Sequence, residues 1–236
     1  MGRYFLLFFL LGMALLVRGQ KASGFQVWSD ITVKKDLGDK WTLGGDTGYR
    51  FDAANEFQLY YLRPGVRFWF SKTIALKAGT ALFYTWNRLN TNAYELRTYE
   101  YAFLYWPQIG GFTFSHRLGL DQRWYFLPVA AADGFAHRFR YRLRLRSPEI
   151  TVSGLPLPFY LSTELELLRN INDRSLAVIF DSERLVFALG SRLTTRLRAE
   201  VQYMQINYND TTWQKFIREK NVLRIKVFYQ FAGAKG

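Results

Sequence analysis

The chain contains no cysteine. That excludes disulfides, cysteine-type zinc sites, thiol chemistry and lipoprotein processing, and leaves the core or the sheet network to hold the protein together. Histidine is scarce as well. His116 and His137 are the only two, so metal ligation has little beyond scattered carboxylates to draw on, and we expect neither metal nor cofactor. No glycine loop of phosphate-binding pattern is present; Gly44-Gly45 and Gly110-Gly111 read as strand and turn glycines. After the first 19 residues no apolar run is long enough for a transmembrane helix, and no stretch shows a helical period.

What is present begins with a leader. Arg3 gives a positive start, Phe5 to Val17 is apolar apart from Gly12, and Val17-Arg18-Gly19 suits a signal peptidase. Residues 1–19 are read as a cleaved signal peptide and residues 20–236 as one domain. The formal charge is +13, and removing Arg3 and Arg18 leaves the mature chain at about +11. Aromatics reach 18% beside 22% charged residues, a combination that membrane-interface girdles would explain.

The remaining chain repeats one kind of segment, about ten residues of alternating polarity followed by a turn. Strands are expected at 25–35, 41–51, 57–70, 74–86, 94–106, 112–125, 136–147, 158–169, 182–192, 196–207 and 220–231. The plainest is the run from His137 to Arg146, with arginine at every second position. A strand sends alternate side chains to opposite faces. Arg138, Arg140, Arg142, Arg144 and Arg146 therefore share one side, and Phe139, Tyr141, Leu143 and Leu145 the other. Arg117, Asp121 and Arg123 oppose Leu118, Leu120 and Trp124 in the same way; Arg224 and Lys226 oppose Leu223, Ile225 and Val227. Tyr94 to Trp106 is less tidy, and a bulge is one explanation.

Connections alternate in length. Asp36 to Lys40, Ser71 to Thr73, Pro107 to Gly111 and Leu193 to Thr195 are tight; Asn87 to Ala93, Phe126 to Phe135, Asn170 to Asp181 and Tyr208 to Glu219 are longer. Outer-membrane barrels show this asymmetry. Trp41, Trp69, Trp86, Trp106 and Trp124 fall near strand ends, where an aromatic girdle belongs. The expected fold is all-β, a single antiparallel transmembrane up-and-down barrel of about ten to twelve strands. Eleven strands conflict with the even number usual for bacterial barrels, so a missed strand at Ser175 to Phe180 or Ile150 to Leu155 is considered. The competing architecture is a secreted soluble β-sandwich or barrel, since soluble antiparallel sheets alternate too.

Several segments, in order, resemble a known family: Trp28 to Lys35 with Lys40-Trp41-Thr42-Leu43 and Gly48-Tyr49-Arg50, then Tyr61-Leu62-Arg63-Pro64-Gly65-Val66, Ser115-His116-Arg117-Leu118 with Gln122-Arg123, and Arg138 to Leu143. Together they resemble the uncharacterised outer-membrane β-barrel proteins known as domain of unknown function 2490. The resemblance implies an outer-membrane barrel and brings no assigned activity or catalytic residue. Tyr229 and Phe231 also look like a terminal assembly signal, which makes the barrel assembly machinery a partner. The chain departs from that signal at Lys226, where glycine is common, and in the extension Ala232 to Gly236.

If the arginine strand is a wall strand, its guanidiniums face the interior, because turning them into hydrocarbon costs about 2–4 kcal/mol each at mid-depth. Turns symmetric about Val152 and near Ala130 would set Arg140 opposite Glu164, Arg138 opposite Glu166 and Asp121 opposite Arg140, and pair Arg144 with Arg117. The candidate interior cations are thus Arg138, Arg140, Arg142, Arg144, Arg146, Arg117, Arg123, Arg63, Arg67, Arg224 and Lys226, with Asp121, Glu164, Glu166 and Glu200 as counter-charges. Lys77, Arg192 and Arg198 add to the surplus.

Such a set is either a salt-bridge network that plugs a narrow barrel or a basic track for small anionic solutes. The first alternative makes the barrel a structural or partner-binding element. The least favoured is a lipid-modifying enzyme: His116 falls on the apolar side of its strand, but no serine lies two residues away on that face. No catalytic residue is assigned, and nucleic acid is not expected as a partner, because the arginines alternate with lipid-seeking residues of an exported, outer-membrane chain. Amino-terminal sequencing of the exported protein is expected to begin at Gln20; an uncut leader would remove the signal-peptide reading.

Overall fold

The computed structural model describes residues 24–52, 57–87, 92–126, 134–151, 154, 156–171, 180–210 and 215–232. The proposed signal peptide and the segment Ser175 to Phe180, apart from Phe180 itself, lie outside them. Eleven strands close into one barrel: β1 (Gly24–Leu37), β2 (Trp41–Asp52), β3 (Phe57–Trp69), β4 (Ile74–Asn87), β5 (Ala93–Tyr105), β6 (Thr113–Phe126), β7 (Gly134–Arg146), β8 (Phe159–Asn170), β9 (Ser182–Arg192), β10 (Leu197–Asp210) and β11 (Lys215–Gln230). Each pairs antiparallel with its neighbour in sequence. Alternating polarity therefore located the wall strands to within a few residues, apart from the start of β11.

The wholly antiparallel closure expected from sequence is corrected. With eleven strands joined by hairpins, the first and last run the same way, and β1 pairs parallel with β11 from Gly24↔Lys220 to Lys34↔Gln230. No twelfth strand is needed. Ile150, in one of the segments considered for it, makes only a single bridge to Phe159. The connection from Tyr208 to Glu219 is also shorter than expected, because β10 and β11 pair out to Asp210↔Lys215 past a register shift at Ile206/Asn207.

Faces follow residue parity. Outward stand Ile31, Leu62, Leu82, Leu118, Val201 and Ile225, all about half exposed or more. Inward stand the arginines of β7 and their counter-charges. Trp41, Trp86 and Trp106 are outward and exposed, and Trp124 packs on Phe135. Trp69 does not join them. Its parity matches Arg63 and Arg67, so it turns inward, stacks on Tyr105 and donates from Nε1 to Thr42 Oγ1 at 3.2 Å.

The untidy segment around β5 carries no bulge, since its registers with β4 and β6 are unbroken. Its inward face is aromatic instead. Tyr99, Tyr101 and Phe103 join Leu59, Tyr61, Ala75, Ala81 and Phe83 in a buried cluster that fills one side of the interior. A smaller cluster of Trp28, Val186, Met204, Ile206 and Val222 lies near the end of the barrel where β1 begins.

The tight turns 38–40, 70–73 and 193–196 gather at the opposite end, but so do the longer connections 106–112 and 147–158, so the alternation of short and long connections expected from sequence is corrected. Gly38 turns there at φ 79°, a conformation that a side chain would strain. The chain's freedom from cysteine offers a clean check of the closure. With Ser29→Cys and Ile225→Cys, which are register partners, a short bifunctional thiol reagent should link the two strands and shift the protein's mobility on a denaturing gel. Efficient linking only in pairs offset by several residues would overturn the parallel register.

Candidate functional site

The interior site is built first from tyrosines lying on glycines. Tyr61, Tyr99, Tyr101 and Tyr160 stand directly across from Gly48, Gly79, Gly119 and Gly190. A Cβ at Gly119 or Gly190 would collide with the ring of Tyr101 or Tyr160, so only glycine lets these rings lie flat on the wall. Flattened, the phenols aim along it. Tyr101 donates to Asp121 Oδ1 at 2.8 Å, Tyr160 to Glu200 Oε1 at 2.7 Å and Tyr61 to Asp30 Oδ1 at 2.5 Å. Tyr99 donates to the carbonyl of Pro64 at 2.7 Å.

These three carboxylates and four others pair with arginines. Asp121 takes Arg140 at 3.2 Å and Arg138 at 3.3 Å. Glu166 receives Arg117, Arg140 at 2.7 Å and Arg184 at 3.2 Å. Glu164 lies 3.2 Å from Arg144 and 3.5 Å from Arg142, while Glu200 takes Arg144 at 2.9 Å. Asp30 pairs with Arg224. Asp46 forms a two-pronged pair with Arg63 at 2.6 Å, and Glu95 takes Arg97 at 2.5 Å and also Arg123.

The registers inferred from symmetric turns are corrected. β7 and β8 pair about Gly154, whose φ is 87°, rather than about Val152. Glu164 therefore faces Arg144, and Glu166 faces Arg142. Likewise Asp121 faces Arg138, and Arg117 faces Arg142 rather than Arg144. Both axes move by whole residues, so register changes in steps of two and every side chain keeps its face. Asp121 still reaches Arg140, diagonally.

These groups surround a cavity of about 280 Å³. Of the predicted cations, Arg63, Arg117, Arg123, Arg138, Arg140, Arg142, Arg144, Arg224 and Lys226 line it, as do Glu164, Glu166 and Glu200; Asp121 stands behind its arginines. Two predicted cations do not line it, being too close to the tight-turn end. Arg146 packs over the Tyr160 ring at 3.7 Å and pairs with Glu149 at 3.1 Å. Arg67 lies over Phe103 at 4.4 Å.

Arg50, Arg97, Arg184 and Glu95 line the cavity and were missed, as were Asp30 and Asp46 behind it. Parity on β1, β2, β5 and β9 would have placed them inside. Arg50 alone among the cavity's arginines has no carboxylate partner among the described residues; it lies 3.8 Å from the Trp28 ring centre.

Counted together, twelve cationic side chains and four carboxylates form the cavity wall. Asp30, Asp46 and Asp121 add three carboxylates that pair with wall arginines. Five positive charges remain in excess. In addition, the Nε–H groups of Arg50, Arg117, Arg138 and Arg184 are buried without an acceptor among the described residues. The arrangement can therefore present several converging donors, in a poorly solvated space, to a small acceptor bearing negative charge.

His116 is on the outward face, as parity required, with Nδ1 2.8 Å from the Tyr141 hydroxyl and its ring near Trp106. Among the described residues no group of three or more His, Asp or Glu side chains has metal-site geometry.

Residues 25–216 match the family described as "Protein of unknown function (DUF2490)". The match spans most of the chain, and the chain belongs to that family. No curated protein matches it. Removing a hub of the network tests its structural weight. Glu166→Ala strips a buried carboxylate from three arginines and should destabilise the protein by about 3–5 kcal/mol. Arg192→Ala breaks a half-exposed pair with Glu149 and should change stability by less than about 1 kcal/mol. Urea unfolding in detergent compares the two.

Proposed function

We propose that this DUF2490 chain is exported by its leader to the bacterial outer membrane, spans it as a monomeric barrel, and takes small anionic solutes into its basic interior. Two separate features support the two halves of this reading. The outward face carries exposed leucine, isoleucine and valine over many neighbouring strands, with Leu62 at 58% and Val201 at 54%. Soluble monomers rarely leave so continuous an apolar surface in water. A closed barrel is also the one sheet architecture that satisfies its backbone in lipid. Trp41, Trp86 and Trp106 lie at strand ends, where an interfacial ring would sit.

The observation that carries the solute reading is the excess of five positive charges around one enclosed cavity, with guanidinium donors left over. A lattice serving rigidity alone approaches charge balance, because an uncompensated buried charge is strongly unfavourable. An anion relieves both the charge and the donors. At about 280 Å³ the space suits a small solute with a few waters rather than an oligomer.

The density of ion pairs and the aromatic cluster on β3–β5 favour a second reading, in which the interior is closed and the barrel acts as a structural or partner-binding element. Neither reading assigns a catalytic residue.

Planar-bilayer recording separates them. Arg50 and Lys226 have no carboxylate within ion-pair distance among the described residues, so neutralising them leaves the pairs in place. Wild type should conduct with anion preference, and Arg50→Gln with Lys226→Gln should lower the anion-to-cation permeability ratio by about twofold or more. Absence of openings, or a cation preference indifferent to both substitutions, would overturn the solute reading.

A further inference from the structure

The tight-turn end of the barrel holds a second basic pocket, separate from the central cavity. Closure by β1 against β11 brings Lys34 beside Gln230. β9 and β10, with the turn that joins them, supply Arg192, Thr195, Arg196 and Arg198 around the same space of about 190 Å³. No carboxylate lines it.

The nearby acids are already engaged. Asp36 accepts from Gln230 Nε2 at 2.6 Å and from Thr42 Oγ1 at 2.8 Å. Glu149 is shared by Arg146 and Arg192. Lys34, Arg196 and Arg198 thus have no ion-pair partner among the described residues. One further observation points to a missing ligand: Thr32, which lines the pocket, has a buried Oγ1 with no hydrogen-bond partner. Like cations held together in partial burial repel one another unless an anion sits among them.

Phe228 forms a wall of both this pocket and the central cavity. Arg198 lies 4.8 Å from its ring centre and Lys226 5.0 Å. The two basic spaces therefore abut through one aromatic ring flanked by cations.

We propose that this pocket is a phosphate-binding site at the barrel's tight-turn mouth, in series with the central cavity. Lys34, Arg196 and Arg198 neutralise the phosphoryl oxygens, and the Thr32 and Thr195 hydroxyls complete their hydrogen bonds. Several cations from separate strands suit a group with two or more charged oxygens better than a single carboxylate. Tyr229, an outward residue, also borders the pocket, so the phosphate group can belong either to a free solute or to a lipid headgroup at the rim. The proposal rests on the membrane-barrel reading for its lipid source and on the anion reading for its place in series.

The test measures equilibrium binding rather than conduction. Full-length protein in maltoside detergent is titrated with inorganic phosphate, followed by phosphorus NMR line width. Retention of phosphatidylglycerol is read in parallel by native mass spectrometry. The variants are Arg196→Gln, an exposed turn residue that should not disturb folding, and Arg196→Gln with Arg198→Gln.

Phosphate binding weakened about tenfold or more by the double variant would support the site with a free phosphate as its source. Phosphatidylglycerol retained by wild type and lost by the double variant, without phosphate binding, would support it with a lipid source. No binding of either, or binding unchanged in both variants, would overturn it. Binding of this kind in a protein that never conducts would leave the site standing while the permeation reading fell. Anion-selective conductance with no phosphate or lipid binding would do the reverse.

Discussion

The interior depends on a carboxylate held between a phenol and one or two guanidiniums. Asp121 shows the unit most fully: Tyr101 donates to one oxygen, and Arg138 and Arg140 reach the other. Tyr101 can do this because Gly119 across the strand boundary leaves room for its ring. A small backbone feature on β6 thereby settles a ring on β5, the ring holds a charge back on β6, and the charge orders arginines on β7. Glu200, with Tyr160 above Gly190 and Arg144 beyond, repeats the scheme on the far wall. Buried ion pairs add little net stability against an apolar core of similar volume, but losing one member is severe. The network is accordingly better understood as fixing where the guanidiniums point than as the source of the barrel's stability, which the continuous strand ladders provide.

The interior is divided. Aromatic rings on β3, β4 and β5 occupy one side, and ionic groups on β6, β7 and β8 the other. Arg117, on β6, bridges the halves by lying 4.6 Å from the centroid of Tyr101, and within the aromatic half Arg97 lies 3.7 Å from that of Phe83. A flat, weakly hydrated guanidinium stacks on a ring more readily than a compact ammonium does. The central cavity lies between the two halves, with Leu59, Tyr61 and Phe83 as its wall on the aromatic side.

Most of the wall was legible in the chain. Alternation states the face of each residue directly, so Arg140, Glu166 and Lys226 could be turned inward before any coordinates. Register was less accessible, because it depends on how the chain turns between strands. The segment from Ser147 to Pro158 holds Ile150 against Phe159 and centres on Gly154 rather than two residues earlier. No local pattern announces that offset. β5 misled for a different reason. Its inward face is Tyr99, Tyr101 and Phe103, and a face of aromatics cannot be told from a lipid-facing one by polarity alone. The missed partners Asp30 and Asp46 had the right parity, but neither strand has a charge at every second position as β7 does. The pocket formed by Lys34 and Arg198 could not be read at all, since it requires knowing that the first strand lies beside the last.

That adjacency has a directional consequence. Because β1 and β11 run alike, Gly24 opens its strand at one rim, whereas Gln230 closes its own at the opposite rim, that of the turn at Gly38. A barrel with an even count returns both ends to one side; this one sends them apart. A fusion ahead of the first strand and another behind the last would thus emerge at opposite rims, making the barrel's direction readable from its own two ends.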